Sequence, residues 1–188
     1  MGETNAQIPR RVAARIVARD PTTGEVPLLH CARGDFFKLP GGGVEAGETV
    51  ETAVVRECRE EIGCEVALEE NFGQLTEQRN SEKTGKLRET VSHVFSGHIT
   101  KRLPEGPQMT ESEIERGLTV VWCDSAKDAE ARMRSKQGTE KKPAAARDFE
   151  LFMRVYNAWN ITTPTVTVES PPITSTAVGE RCTESKPS

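Results

Sequence analysis

The sequence predicts an α+β protein, an α/β/α sandwich in which helices cover both faces of a mixed central sheet. Two kinds of apolar pattern support this prediction: alternation typical of half-buried strands, and repeats of three or four residues typical of helices. The length of 188 residues is close to one ordinary domain, which usually holds roughly 100–200 residues. We therefore assign residues 1–160 to a single domain and residues 161–188 to a C-terminal tail.

Five stretches have the pattern of strands. The first covers residues 11–20, where Val12, Ala14, Ile16 and Ala18 alternate with other residues. A turn at residues 21–24 leads into a second strand, so the first 35 residues predict a β-hairpin. The other three strands are predicted at residues 65–78, 87–100 and 118–123, and the first two of these form a long hairpin.

Three stretches have the pattern of helices. In the first, apolar residues recur every four positions from Val50 to Ile62, with Thr49 as the N-cap and Gly63 as the stop. The other two are predicted at residues 126–136 and 143–159. We interpret the aromatic stripe of the last helix as core packing, because its spacing of three and four places the rings on one face.

Composition excludes several classes of function. The chain has 25 basic and 29 acidic residues, a net charge of −4, which argues against a general nucleic-acid binder or a protein of anionic membrane surfaces. No apolar run approaches the ~20 residues of a membrane helix. Five cysteines without a CxxC pair are typical of free thiols in a reducing compartment. We therefore expect a soluble protein of the cytoplasm, with the nucleus as the alternative.

The tail differs from the rest of the chain in composition. Of its 28 residues, 15 are Ser, Thr or Pro and none is aromatic. Such a segment has too little apolar surface to offset the entropy of ordering it. We predict that residues 161–188 are disordered.

A glycine loop precedes a strongly acidic helix. Three consecutive glycines, Gly41 to Gly43, allow close approach of the backbone to a ligand. Residues 42–65 then carry seven glutamates against two arginines. Glu57, Glu60 and Glu61 lie on one helical face, where their charges repel one another. The face could be a solvated surface, but beside the loop it favours a site for Mg²⁺, which takes oxygen ligands.

These residues also form a known motif. Gly42, five residues, Glu48, seven residues and then the segment from Arg56 to Cys64 resemble the Nudix box, and all seven of its fixed letters agree. Cys58 and Cys64 replace large aliphatic residues of the family, which changes packing but removes no acidic group. The similarity extends over roughly residues 8–160.

The resemblance implies the Nudix fold, with its loop–helix–loop, and a hydrolase activity. Nudix hydrolases of the MutT-like group cleave a pyrophosphate bond in a nucleoside diphosphate linked to another moiety, with bound Mg²⁺ or Mn²⁺. By position in the motif, the implied metal ligands are Glu57, Glu60, Glu61 and the Gly41 carbonyl. The implied catalytic residues are Glu57, Glu60, Arg56 and Glu48, of which Arg56 and Glu48 would orient the carboxylates.

The general base stays open at this stage. It could be Glu57 itself or a glutamate of a loop after the box. The candidates in that loop are Glu105, Glu111, Glu113 and Glu115.

Substrate choice in this family is read outside the box. Residues 65–100 contain neither Pro nor Tyr, which disfavours the ADP-ribose and dinucleoside polyphosphate groups of the family. A nucleoside triphosphate, an oxidised nucleotide or a nucleotide sugar remains as the small-molecule substrate. A homodimer would fit by family analogy. The alternative is a non-hydrolytic Nudix module that binds a nucleotide or a protein partner.

Four other side chains near the predicted site have two interpretations. Phe36, Phe37 and Trp122 could stack on a base, although core packing is the more common role of such rings. Lys38, just before the glycine loop, could contact a phosphate or be an ordinary surface lysine.

Overall fold

The computed structural model describes residues 8–80, 84–136 and 143–162. It contains six strands and four helices within these ranges. The strands are β1 (Arg10–Arg19), β2 (Val26–Cys31), β3 (Phe36–Lys38), β4 (Cys64–Asn80), β5 (Leu87–Arg102) and β6 (Leu118–Cys123). The helices are α1 (Val50–Ile62), α2 (Glu111–Glu115), α3 (Ala126–Ser135) and α4 (Pro143–Thr162).

The strands form two three-stranded sheets, ordered β1-β5-β4 and β3-β2-β6. β1 runs parallel to β5, whereas β4 pairs with β5 in the antiparallel sense. β2 pairs antiparallel with both of its neighbours. The predicted α+β class with mixed pairing is therefore confirmed, with the strands divided between two sheets.

Helices pack on both faces of the layer that the two sheets form. One apolar core contains Ala53, Val54 and Cys58 of α1, packed on one face of β1. The other core contains residues of α3 and α4, packed on the opposite face around Val17. Because side chains alternate along a strand, consecutive residues such as Ile16 and Val17 belong to different cores.

The predicted β1–β2 hairpin is wrong. The turn between the strands does form, because Asp20 N donates to Glu25 O at 2.8 Å. Beyond it the strands separate: β1 pairs with β5 on one edge, and the Ala13–Gly43 bridge lies on the other. β2 is enclosed between β3 and β6. The separation arises because β1 obtains its backbone partners from segments distant in sequence, whereas β2 pairs with the nearby β3 and with the distant β6.

The long hairpin of β4 and β5 is confirmed, and both strands extend a few residues beyond the predicted ends. Two elements were not predicted, β3 with three residues and α2 with five, because neither is long enough to show a period. Core packing of the aromatic stripe on α4 is confirmed by Phe152, which is fully buried.

Other predictions concern the chain as a whole. Cys31, Cys58, Cys64 and Cys123 are free and buried, as predicted, and Cys182 lies outside the described residues. In the part of the chain that the structure describes, no helix is long and apolar enough to cross a membrane. The predicted disorder of the tail falls beyond residue 162, outside the described residues.

Candidate metal-binding site

Helix α1 begins and ends where the sequence predicts. The Thr49 hydroxyl accepts a hydrogen bond from Thr52 N, which satisfies one free amide of the first turn. Gly63 ends the helix with φ 63°, a left-handed conformation that glycine adopts at little cost. These caps fix the ends of the helix, and the burial of Ala53, Val54 and Cys58 in the core fixes its rotation, so its acidic face is held next to the loop of residues 40–43.

That loop is attached to the free edge of β1. Ala14 N donates to Gly42 O at 3.0 Å, and Ile16 N donates to Pro40 O at 3.1 Å. Gly41 has φ 125°, and a Cβ atom there would collide with the Ala14 carbonyl. A Cβ atom on Gly42 would collide with the Glu57 carboxylate. Glycine is required at both positions because the loop lies directly against β1 on one side and the acidic helix on the other.

Three carboxylates converge beside this loop. Glu57, Glu61 and Glu113 each offer an oxygen, and these three atoms lie within 4.8 Å of one another. Glu57 and Glu61 are buried, and Glu113 is half-buried. We call these three residues the acidic cluster. Its donors are all oxygen atoms, the type that Mg²⁺ and Mn²⁺ prefer, so the residues present fit a divalent cation.

Glu113 reaches the cluster because the segment before α2 is tied to the end of α1. Gln108 N donates to Glu60 O at 2.7 Å, and Leu103 N donates to Gly63 O at 2.8 Å. Thr110 then starts α2, and its backbone N and its hydroxyl both donate to Oε2 of Glu113. Oε1 of Glu113 receives neither of these bonds.

Glu61 is the most tightly held member of the cluster. Its Oε2 accepts a hydrogen bond from Gly41 N at 2.7 Å, and its Oε1 lies 2.7 Å from Lys38 Nζ. The Lys38 ammonium is largely buried and so is not an ordinary surface lysine. It supplies part of the positive charge that two adjacent buried glutamates require.

Arg56 joins the remaining carboxylates of the motif. Its Nε donates to Glu48 at 2.8 Å, and its Nη1 donates to Glu57 and to Glu60, each at 3.1 Å. Its Nη2 donates to the Gly43 carbonyl at 3.0 Å. One planar guanidinium thereby fixes three carboxylates and the glycine loop relative to one another.

The surroundings of Glu57 and Glu48 shift the pKa values of these two carboxyl groups in opposite directions. Burial, and then the charge of Glu61, raise the pKa of Glu57 above its ordinary value. By contrast, the hydrogen bonds from Arg56 and from Glu45 N lower the pKa of Glu48 to about 2. Glu48 is therefore held in its ionised form by Arg56, whereas the ionised form of Glu57 is disfavoured by burial and would be favoured by a cation bound at the cluster.

Two further ligands that the motif implies are the Gly41 carbonyl and Glu60. Gly42 and Gly43 accept hydrogen bonds at their carbonyls, but none of the described residues donates to the carbonyl of Gly41. That oxygen is consequently available as a ligand. Glu60 bonds Arg56 and is not one of the three clustered carboxylates.

The remaining candidates do not join the site. Glu105, Glu111 and Glu115 are exposed and are not members of the cluster. Phe36, Phe37 and Trp122 pack against the cores, as the common role of such rings suggested. Trp122 is also covered by the Arg102 guanidinium, 3.8 Å from the ring centre.

Comparison with known proteins gives the same family as the motif. The sequence model of the NUDIX domain family matches residues 9–140. Over 87 residues the chain is 34% identical to an RNA pyrophosphohydrolase of Gluconobacter oxydans, which covers 45% of this chain and 49% of that protein. Over 85 residues it is 31% identical to the isopentenyl-diphosphate Delta-isomerase of Escherichia coli, covering 45% of this chain and 43% of that one. The chain thus matches about half or less of the length of these relatives.

A solved structure resembles the fold over a longer span. A NUDIX hydrolase from Nitrosomonas europaea superimposes with a TM-score of 0.54 over 79% of this chain and 90% of that one, at 20% identity. This likeness concerns the fold. The family model, however, covers well over half of the sequence, including the whole glycine loop and helix α1. The chain belongs to the NUDIX domain family.

Proposed function

We propose that this protein is a divalent-metal-dependent hydrolase that cleaves a pyrophosphate bond in a nucleoside diphosphate linked to another moiety. The observation that carries the proposal is the acidic cluster, whose three carboxylate oxygens lie within 4.8 Å of one another. Two of these carboxylates are buried and adjacent, which is unfavourable without a cation. Family members that do not hydrolyse would be expected to have lost such groups, and here each one is retained.

Glu57 and Glu61, with the Gly41 carbonyl, would hold Mg²⁺ or Mn²⁺ beside Glu113, the third carboxylate of the cluster. Glu60, a ligand by its position in the motif, would be the outermost of the set because it is half-exposed and is not a member of the acidic cluster. A bound divalent cation neutralises charge on phosphate oxygens and lowers the pKa of an attacking water. The chain itself supplies the preorganisation, since Gly41 N and Arg56 hold two of the carboxylates before any ligand arrives.

Arg56 and Glu48 act as positioning residues in this proposal. Arg56 places Glu57 and Glu60 and also contacts the glycine loop, so its charge is directed at carboxylates instead of substrate. Glu48 in turn fixes the guanidinium through two hydrogen bonds, at 2.8 and 3.1 Å. Outer contacts of this kind typically change metal affinity or activity about 10–100-fold when they are removed.

We assign the general base to Glu113. Of the four glutamates considered after the box, it alone belongs to the acidic cluster. Thr110 bonds its Oε2, so Oε1 can accept a proton from a water molecule at the cluster.

The decisive experiment is a chromatographic hydrolysis panel of the full chain with Mg²⁺, Mn²⁺ or EDTA. The substrates are nucleoside triphosphates, oxidised dGTP, nucleotide sugars, ADP-ribose and dinucleoside polyphosphates, with isopentenyl diphosphate as a test of isomerisation. We expect metal-dependent release of a nucleotide product from at least one of the first three classes, and none in EDTA.

Glu61→Gln is the loss-of-function variant for this panel, because it removes a charge from the cluster without changing side-chain size. We expect activity to fall by more than about 100-fold, since even outer-shell losses cost ~10–100-fold. Glu51→Gln, on the exposed side of the same helix, should retain full activity. Metal-dependent nucleotide binding with no turnover of any compound would instead identify a non-hydrolytic module.

A further inference from the structure

One face of the β1-β5-β4 sheet changes from apolar to polar along its length. Residues paired across strands project to the same side, so Arg11, Thr90 and Glu77 form one row. Ala13 and Ser92 belong to the next row. Further along, the same face continues into the apolar core under α4. The polar end is therefore a distinct region of an otherwise apolar face.

This polar end contains buried polar atoms that make no hydrogen bond. Within residues 8–80, 84–136 and 143–162, the buried side-chain nitrogen and oxygen atoms without a hydrogen bond are Arg15 Nε, Arg88 Nε, Thr90 Oγ1 and Ser92 Oγ. All four lie on this one face. Thr90 and Ser92 are 3% and 0% exposed. A buried polar group without a partner costs about 1–3 kcal/mol, so such a concentration requires an explanation.

The region is also positively charged. Four arginines contribute to it, since Arg15, Arg88 and Arg147 all lower the pKa of Arg11, after the effect of burial. Two acidic groups contact the region directly, and Arg147 binds both, at 2.9 Å from Glu77 and 2.7 Å from Asp148. The charges of Glu57 and Glu61 also act on Arg15 from the acidic cluster.

Two of the arginines have no acidic partner. Arg11 and Arg88 form no ion pair with any described residue. Arg88 is moreover paired across the strands with Arg79, an arrangement of like charges that is unfavourable by itself. Arg11 is exposed and Arg88 half-buried, whereas Arg15 and Arg147 are each 6% exposed. The region therefore has a buried floor and an open end, both cationic.

The cationic region adjoins the acidic cluster across the glycine loop. A Cβ atom on Gly42 would meet Glu57, and one on Gly43 would lie 3.0 Å from Arg11 Nη2. Because consecutive Cα atoms are 3.8 Å apart, the Glu57 carboxylate and the Arg11 guanidinium are separated by no more than about 12 Å. One small polyphosphate ligand can reach both.

We propose that Arg11, Arg15, Arg88 and Arg147, together with the Thr90 and Ser92 hydroxyls, form a second site that binds a phosphate group of the substrate distinct from the bond that is cleaved. We call this set the arginine face. Guanidinium groups bind phosphate oxygens through paired hydrogen bonds, and the two hydroxyls add donors that now have no acceptor. The substrate class is thus a nucleotide that carries a phosphate monoester or polyphosphate beyond the scissile anhydride.

The dianionic monoester is favoured over the phosphodiester backbone of a nucleic acid. Each phosphodiester carries one charge, whereas the arginine face has two unpaired guanidinium groups at its open end. The net charge of −4 also opposes an extended polyanion. The identity of the ligand as substrate rests on the proposed function, whereas anion binding by the arginine face does not.

The first test measures binding of inorganic tripolyphosphate to the full chain in EDTA by isothermal titration calorimetry. Arg11→Gln and Arg88→Gln should each weaken binding tenfold or more. Neither arginine has an acidic partner, so these variants should fold normally, and their melting temperatures without ligand should be unchanged or higher. Arg10→Gln is the matched control, because Arg10 is adjacent on β1, faces the other side and pairs with Glu89. Its affinity should equal that of the wild type.

Two results would contradict anion binding by the arginine face. One is the absence of tripolyphosphate binding in EDTA, and the other is an equal loss in Arg10→Gln and Arg88→Gln. Equally tight binding of a single-stranded RNA with a 5′-hydroxyl end would overturn its assignment to a monoester. Anion binding that depends on Arg88, without hydrolysis of any compound in Mg²⁺, would refute the proposed function while leaving the arginine face intact.

The second test compares substrates that differ by one phosphate monoester, a nucleotide sugar and its ribose 2′-phosphate. We expect the KM of the wild type to be at least tenfold lower for the phosphorylated member, and this ratio to approach one in Arg88→Gln with kcat little changed. Arg10→Gln should keep the preference of the wild type. Hydrolysis of both compounds with the same KM would show that the arginine face does not bind the substrate.

Discussion

Two clusters of arginine and carboxylate side chains lie on either side of the glycine loop, and their compositions are opposite. Around the acidic cluster, one arginine, Arg56, binds three carboxylates. On the arginine face, one buried carboxylate, Asp148, lies against two arginines, Arg15 at 3.7 Å and Arg147 at 2.7 Å. In each cluster the less numerous charge fixes the others, and the excess charge is left for a ligand of opposite sign.

The two clusters also differ in burial. Asp148 is fully buried, and it additionally accepts a hydrogen bond from Leu39 N at 3.1 Å. Burial alone would raise the pKa of Asp148, but Arg147 and Arg15 outweigh it and lower that pKa. The Arg56 side chain, in contrast, is 25% exposed and that of Glu60 39%. The comparison indicates that the Asp148 ion pairs mainly support the fold, whereas those of Arg56 mainly support ligand binding.

The largest expected effect concerns Glu113 of the acidic cluster. Glu113→Gln should lower kcat by about 10²–10⁴-fold, the usual contribution of a general base. Affinity for Mn²⁺, measured by calorimetry, should fall much less. Glu115→Gln, an exposed neighbour on the same short helix, should have no effect on either quantity. A loss of Mn²⁺ affinity as large as the loss of rate would make Glu113 a metal ligand instead of the base.

The next effect is on stability. Asp148→Asn should lower the free energy of unfolding by about 3–5 kcal/mol, because it leaves the buried Arg15 guanidinium without its anion and Arg147 with Glu77 alone. For a chain of this size that corresponds to a melting temperature lower by about 6–20 °C, measured by circular dichroism. Glu150→Gln, an exposed site two residues away on α4, should change stability by less than about 1 kcal/mol. Equal destabilisation by both changes would contradict a structural role for the buried pair.

A third effect tests the positioning role of Arg56. Arg56→Lys keeps the charge but loses the planar fork that reaches three carboxylates at once. Mn²⁺ affinity should fall by about 10–100-fold, with little change in melting temperature. Arg59→Lys is the control, since the Arg59 side chain is 56% exposed and lies 3.5 Å from Glu65. If Arg56→Lys were to unfold the protein while Mn²⁺ affinity per folded molecule stayed the same, Arg56 would support the fold, as Asp148 does, and not metal binding.

The smallest effect is the pH dependence contributed by Glu48. Its pKa of about 2 in the folded protein is below the ~4.3 of an unfolded glutamate. The stabilisation is therefore complete above about pH 4.5 and is lost as the pH falls toward 2. In urea unfolding between pH 4.5 and 2, Glu48→Gln should lose less stability than the wild type. Glu45→Gln, at an exposed residue, should follow the wild-type curve.

Much of the candidate site could be predicted from the sequence because it is local. The caps of α1 at Thr49 and Gly63 involve residues a few positions away, and both predictions are confirmed. The acidic face of the helix follows from spacings of three and four residues. The β1–β2 hairpin failed for the opposite reason, since the partners of β1 begin more than 25 residues later in the chain.

Other parts of the site depend on contacts between distant segments. Four glutamates after the box were equivalent in the sequence. The bonds from Leu103 and Gln108 to the end of α1 bring the following helix, with Glu113, to the cluster. Lys38 became a partner of Glu61 because β3 ends beside the buried face of α1.

The sequence by itself determined the family motif, the helix that carries it and the surplus of acid on that helix. The tertiary structure decided which loop glutamate joins that helix, and it assembled the arginine face from residues on β1, β5 and α4. A net charge of −4 gave no sign of a cationic region, because a sum over the chain does not record position. Arg11, Arg88 and Arg147 become neighbours only through strand register and helix packing, which depend on backbone pairing and burial across the whole domain.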